Sequence, residues 1–164
     1  MKTVFKLAIL LIFAITISCD SETLSDPDGA IQASKSANSK KVTKDFTNSY
    51  TGTATGFYGI MTHVGNYTGV DVKPFIFEFT GDLTGIQYGF EKITAANGDE
   101  IWTESTTYIT FVDDGTYLNG TYTGTWVITG GTGRFAGATG SATVNNGVFD
   151  EVGSRHNSEG TITY

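Results

Sequence analysis

TGGTGRFAGATGSATV, residues 129–144, is the stretch of this sequence that decides the fold. Gly130, Gly131 and Gly133 provide the positive φ angles, or the close approach of two strands, that a tight turn requires. After this turn, small residues alternate with polar ones, which is the period of a strand with one dry and one wet face. The residues predicted to face the core are Ala136, Ala138, Gly140, Ala142 and Val144. Small inward residues fit where a sheet curls on itself, so the stretch predicts a compact β-barrel.

Further strands are predicted on both sides of this stretch. The clearest alternates apolar residues and glycines with threonine and asparagine, at Leu118, Gly120, Tyr122, Gly124, Trp126 and Ile128. Phenylalanines occupy every second position from 75 to 79, and this places Glu78 on the opposite, outward face. Asn97-Gly98 predicts a two-residue hairpin loop.

The remainder of the chain completes an all-β prediction. One strand is predicted over about 60–69, residues 148–159 are predicted to be irregular, and residues 160–164 are predicted to form a closing strand. No segment after residue 18 shows helical periodicity. We therefore expect residues 46–164 to form one domain, an eight-stranded antiparallel β-barrel.

The amino terminus has the pattern of an export signal. Residues 1–18 contain Lys2 and Lys6, then the apolar run 7–15, and end just before Cys19. A basic start and a short apolar core are typical of a secretory signal, and the run is short for a spanning helix. A transmembrane anchor is the alternative interpretation. Cys19 is the sole cysteine, so it has no partner for an internal disulfide.

The residues around Cys19 resemble the lipobox of bacterial lipoproteins, with Thr16 at the position where leucine is most often found. The resemblance implies that Cys19 becomes the mature first residue, with a thioether-linked diacylglycerol and an amide-linked acyl chain such as palmitate. Membrane lipid is then the expected partner, because several acyl chains give stable anchoring.

The acidic residues after Cys19 bear on the membrane to which it is anchored. Asp20 to Glu22 resembles the surface-export signal of lipoproteins from Bacteroidota, whereas an aspartate in the second position marks inner-membrane retention in enterobacteria. We favour the outer membrane or cell surface, with the periplasmic face of the inner membrane as the alternative. Residues 19–45 are poor in bulky apolar side chains and are predicted to be the lipidated cysteine and a flexible linker.

The charge of the chain excludes one class of partner. The net charge is −7 at pH 7, and nucleic-acid binding needs a basic surface, so no nucleic-acid partner is expected.

Four segments, in this order, resemble bacterial members of the allene oxide cyclase and dirigent barrel superfamily: THVGNYTG at 62–69, AANGDEIW at 95–102, the stretch 129–144, and the terminal GTITY. The resemblance implies an eight-stranded antiparallel barrel and, as in the plant relatives, a homo-oligomer. Those plant proteins guide cyclisation or radical coupling of small apolar molecules inside the barrel. Their site residues match no numbered position in this sequence.

Few side chains stand out as candidates for chemistry. His63 and Arg134 are the candidate ligand-binding residues, His63 as a hydrogen-bond donor or proton carrier at the barrel mouth and Arg134 as a partner for an anion. For each, a structural role is the alternative. The only two histidines lie in different segments without accompanying ligands, so no metal or other cofactor is expected. No catalytic triad can be proposed from the spacing.

Two functions therefore remain open. The first is a membrane-anchored lipoprotein whose barrel binds a small apolar or glycan ligand, or serves as an interaction module. The second is an isomerase or stereochemical guide resembling allene oxide cyclases and dirigent proteins. Convergent polar groups inside a sizeable lumen would favour the second function, whereas a lumen packed with side chains would remove it and leave function to the outer surface and loops.

Overall fold

A computed structural model of the protein describes residues 40–164. The predicted signal peptide, the lipid attachment at Cys19 and most of the predicted linker lie outside these residues. The described part contains nine β-strands: β1 (Thr43–Thr53), β2 (Gly56–Met61), β3 (Gly65–Asp71), β4 (Ile76–Gly81), β5 (Thr84–Ala95), β6 (Glu100–Phe111), β7 (Gly120–Gly131), β8 (Thr139–Asp150) and β9 (Gly153–Thr163).

Eight of these strands close into an antiparallel barrel, which confirms the predicted fold class. The hydrogen-bonded order is β3-β2-β1-β9-β8-β7-β6-β5, and pairing of β3 with β5 completes the ring. The ninth strand, β4, pairs with the first part of β5, while β3 pairs with the last part. Two short strands thus share one edge of β5.

Three element boundaries differ from the sequence prediction. The strand predicted over about 60–69 is two strands, because the chain turns between Met61 and Gly65. The segment 148–159, predicted to be irregular, contains the end of β8 and more than half of β9. Apart from Phe149, its inward side chains are polar, so it lacks the apolar alternation that reveals a strand. Finally, β1 begins at Thr43, so the barrel includes the last residues of the predicted linker.

The glycine-rich stretch closes one end of the barrel. Between β7 and β8 the chain forms a 3₁₀ turn over Gly133–Phe135, and Gly133 has a φ of 55°. The turn directs Phe135 into the barrel, where it is fully buried with its ring centroid 5.2 Å from that of Tyr164. Ala136 is exposed, unlike the prediction, because β8 begins only at Thr139.

The core occupies this closed end. Met61, Ile101, Ile128 and Ile162 are almost completely buried there around Phe135. The predicted inward positions are confirmed for Ala142 and Val144 on β8 and for Ala138 just before it, which are all buried. At the opposite end, which we call the mouth, β1 turns into β2 and β8 turns into β9. Towards the mouth the interior is not completely filled, and the open space there forms a cavity.

Candidate ligand-binding cavity

A cavity of about 470 Å³ occupies the half of the barrel nearer the mouth. Strand alternation points every second side chain of the surrounding strands into it. These inward residues are a mixture of aromatic, aliphatic, hydroxyl and ionisable side chains rather than a packed hydrophobic core. The volume lies within the range of about 300–1,000 Å³ that small-molecule sites have.

Aromatic side chains surround the mouth of the cavity. We call this group the aromatic collar; its members are Phe77, Phe79, Phe111, Tyr117 and Phe149. Phe111 lies at its centre, with ring centroids 5.3 Å from Tyr117 and 5.7 Å from Phe149. Glu78 is exposed on the opposite face of β4, as predicted. The collar gives a ligand apolar ring surface at the entrance.

Glycines allow large rings to lie across neighbouring strands. A side chain at Gly85 would overlap the ring of Phe77, and one at Gly147 would overlap the ring of Tyr122. With only hydrogen at these positions, Phe77 lies over β5 and Tyr122 reaches across β8. The many glycines of the strands therefore position the aromatic lining of the cavity.

His156 forms one wall of the cavity together with two tyrosines. Its ring stacks on Tyr50, the residue opposite it on β1, at a centroid distance of 4.4 Å and an angle of 9°. The hydroxyl of Tyr122 lies 2.9 Å from Nδ1 of His156. Nε2 is buried and has no hydrogen-bond partner among the residues that the structure describes. Desolvation lowers the pKa of His156 to about 4, so its ring is neutral at pH 7.

The two tyrosines also remain protonated. Burial raises the pKa of Tyr50 and of Tyr122 above the usual value for a phenol. The carboxylates of Asp71 and Glu91 contribute to the shift at Tyr50, because negative charge disfavours a phenolate. These two phenols therefore offer hydroxyl groups to the cavity, and neither supplies a negative charge.

Glu91 lies on another wall of the cavity, on β5. Thr103 donates a hydrogen bond of 2.7 Å to its Oε2, and the Ser105 hydroxyl donates to its Oε1. Burial raises the pKa of Glu91, the two hydroxyl donors lower it in part, and Asp71 raises it further. Asp71 is the residue opposite Glu91 on β3 and also lines the cavity. Burial raises the pKa of Asp71 as well.

A buried hydrogen-bond network forms the floor. The Tyr67 hydroxyl donates to Oδ1 of Asn48 at 2.8 Å, and Nδ2 of Asn48 donates to the Ser158 hydroxyl at 3.2 Å. Nε1 of Trp126 donates to the same hydroxyl at 3.4 Å. Satisfied polar groups at this depth separate the cavity from the hydrophobic core without an energetic penalty.

The two residues predicted from the sequence to bind ligand do not line this cavity. His63 is exposed in the turn between β2 and β3, with a φ of 69°. Arg134 donates a hydrogen bond of 3.0 Å to the Val64 carbonyl, and its Nε lies 3.4 Å from a carboxylate oxygen of Asp99. The structure thus places both at the closed end, where Arg134 braces two turns.

Sequence reasoning missed Glu91 and His156. His156 lies in the segment predicted to be irregular, so no inward face was assigned to it. Glu91 lies on a predicted strand, and the buried positions Gly89, Ile93 and Ala95 share its parity. That parity was an available signal, because an acid on the apolar face of a strand is unusual.

Within residues 40–164, no group of three or more histidine, cysteine, aspartate or glutamate side chains is arranged to hold a metal ion. No helix in the same part of the chain is long and apolar enough to cross a membrane.

The fold and the cavity define a small β-barrel with one partly enclosed internal site. Comparisons of the chain with protein-family models, with curated proteins and with solved structures gave no match. The function must therefore be argued from the site itself.

Proposed function

We propose that this chain is an exported lipoprotein, anchored through an acylated Cys19, whose barrel binds a small and largely apolar ligand. The observation that carries the binding proposal is the cavity of about 470 Å³ inside the barrel. Anchoring is supported by the sequence of residues 1–22 and its resemblance to lipoprotein signals. The proposed location is the outer membrane or the cell surface.

The aromatic collar favours an apolar body over a glycan. A polyhydroxylated ligand passing Phe77, Phe111 and Phe149 would lose water from its hydroxyl groups without gaining hydrogen bonds there. An apolar body loses little on leaving water and gains contact with the rings. The polar groups deeper in the cavity then orient the ligand.

A neutral fluorescent probe tests this proposal on the barrel. N-phenyl-1-naphthylamine becomes brighter in an apolar site, and we expect it to bind the wild-type protein. Thr107 points into the cavity from β6, so Thr107→Trp should fill part of the space and weaken binding at least about tenfold. Unchanged probe affinity in a folded Thr107→Trp protein would place the probe elsewhere and contradict the proposal.

Thr110→Trp is the matched control for this experiment. Thr110 lies on the same strand, is exposed and does not line the cavity. The same substitution at this position should leave probe affinity within about twofold of wild type. A general effect of adding tryptophan to β6 would appear in both variants.

A second function is an isomerase or stereochemical guide, as the resemblance to allene oxide cyclases and dirigent proteins implies. It is favoured by the presence of two ionisable side chains, Glu91 and His156, in one cavity. A proton-transfer role needs such groups near the reacting atoms. The test uses a reaction whose product forms as a racemate without protein, and it measures the enantiomeric excess of the product when the protein is present. A product that is still racemic contradicts catalysis of that reaction.

A further inference from the structure

The charged groups that line the cavity, in addition to its apolar lining, restrict the class of ligand that can bind. Asp71 and Glu91 supply two carboxyl groups, and no lysine or arginine lines the cavity among residues 40–164. Since His156 is neutral at pH 7, the interior carries no positive charge to balance them. A ligand that enters the cavity meets an acidic surface.

The two carboxyl groups face each other across neighbouring strands. Asp71 on β3 and Glu91 on β5 are opposite residues in the antiparallel register. Like charges at directly opposite positions on one face of a sheet repel each other and destabilise the pair. Glu91 is half-buried and Asp71 is exposed, and a cation placed between them would relieve the repulsion.

Three basic residues that lie within two positions of cavity-lining residues in the sequence have other partners. Lys92 follows Glu91 along β5 and forms an ion pair of 3.1 Å with Glu100. Lys73 lies over the ring of Phe90 at 4.5 Å. Arg155, which precedes His156, forms an ion pair of 3.1 Å with Asp150. Within the part of the chain that the structure describes, neither Asp71 nor Glu91 forms a salt bridge.

The remaining lining adds to the preference for positive charge. Aromatic faces attract cations, and this attraction strengthens when the site excludes water. The aromatic collar lies at the mouth, and Tyr50 lies deeper in the cavity beside His156. The two carboxyl groups would instead repel a ligand with an anionic head. Among residues 40–164, no lysine or arginine lines the cavity to offset that repulsion.

We propose that the cavity binds an organic cation, a primary to quaternary ammonium group carried on an apolar or aromatic body, with the ammonium beside Asp71 and Glu91. The apolar body then occupies the space between the collar and the floor. This inference rests on the proposed function, because it names the charge class of the ligand for the same cavity. It excludes fatty acids and other organic anions as ligands.

Three probes of one shape test the proposal by titration calorimetry on the wild-type protein. Phenethyltrimethylammonium carries the cation, (3,3-dimethylbutyl)benzene replaces its nitrogen by carbon, and 2-phenylethanesulfonate carries an anion on the same body. We expect the cation to bind at least about tenfold more tightly than its carbon isostere, and the sulfonate more weakly than either.

Variants then assign the preference to the two acids. Asp71→Asn and Glu91→Gln should each reduce the preference for the cation over the isostere at least about threefold, while affinity for the isostere itself is retained. Retained isostere binding also shows that the variant is folded. Glu104→Gln is the matched control, since Glu104 is exposed on β6 and outside the cavity, and it should leave the preference unchanged.

The outcomes separate this inference from the proposed function. Equal binding of cation and isostere, or tighter binding of the sulfonate, would overturn the charge preference and leave an apolar-ligand barrel. A preference that persists in both acid variants would overturn the role of Asp71 and Glu91. Absence of binding by all three probes and by N-phenyl-1-naphthylamine would overturn both proposals.

Discussion

Burial disfavours the charged form of each ionisable side chain in the cavity. The pKa of Glu91 is raised, and that of His156 is lowered to about 4. Among residues 40–164, a neutral histidine leaves the carboxyl groups as the only source of charge in the cavity. The electrostatic character of the site therefore depends on which of its residues lose water on folding.

The lowered pKa of His156 predicts a dependence of stability on pH. The folded value of about 4 lies below the unfolded value of about 6.5, so the unfolded chain binds more protons between them. The stabilising contribution is complete above pH 6.5 and is lost as pH falls towards 4. The shift corresponds to about 2 kcal/mol, after allowance for the part of the ring that meets solvent.

Urea unfolding of wild type and His156→Phe at several pH values measures this contribution. Phenylalanine keeps the stacking on Tyr50 and cannot be protonated. The difference in unfolding free energy between the two proteins should shift by about 2 kcal/mol in favour of the variant between pH 7 and pH 4.5. The difference at pH 8 gives the cost of the substitution itself. A difference that is constant with pH would contradict the assigned pKa.

At the residue scale, residue type alone was a poor guide to the site, because it does not say which face of a strand a side chain occupies. His63 and Arg134 are rare residue types in this sequence, but both lie at turns of the closed end. His156 and Glu91 differ from these two residues because their side chains point into the cavity, and not because their residue types are rarer. That direction depends on strand register, which is fixed by pairing with other strands.

β-Strands were predictable from the sequence wherever one face of the strand is apolar. The dry face of β8 and the position of the hairpin at Asn97-Gly98 follow from local pattern, and Gly98 has the expected positive φ of 88°. The hairpin loop is longer than predicted, since β5 ends at Ala95 and β6 begins at Glu100. The first part of β9, residues 153–159, has polar residues facing inward, so this part of the strand was recognisable only from its partners.

The turn between β7 and β8 is predicted to stabilise the whole barrel through one side chain. Phe135 is fully buried and fills the closed end against Tyr164. Phe135→Ala would leave a cavity there, and we expect it to lower the unfolding free energy by about 3–5 kcal/mol. Urea denaturation followed by the fluorescence of Trp126 and Trp102 measures the loss.

Arg134→Ala, one residue earlier, is the control for this turn. Its ion pair with Asp99 and its bond to the Val64 carbonyl lie near the surface, so the loss should be about 1 kcal/mol or less. Equal losses for the two variants would show that the turn acts through its surface contacts. They would contradict the assigned role of Phe135.

At the scale of the whole molecule, closure of the barrel was predictable because most strands show amphipathic alternation and no segment after residue 18 shows helical periodicity. The ninth strand was not separable in sequence, because β3 and β4 follow each other along one edge of β5 and both alternate like barrel strands. Nor does any local pattern give the extent to which a barrel is filled. The volume of the cavity depends on the side chains of all eight barrel strands together.

The position of the whole molecule at a membrane is predicted to depend on Cys19. Acyl chains contribute about 0.8 kcal/mol for each buried methylene, so a triacylated chain stays in the membrane fraction, whereas Cys19→Ser should move to the soluble fraction. Separation of membranes by ultracentrifugation, with immunodetection of the barrel, measures the distribution. Ser21→Ala keeps the cysteine and should stay with the membranes. A Cys19→Ser protein that remains wholly in the membrane pellet would refute lipid anchoring, and it would leave the transmembrane interpretation of residues 1–18.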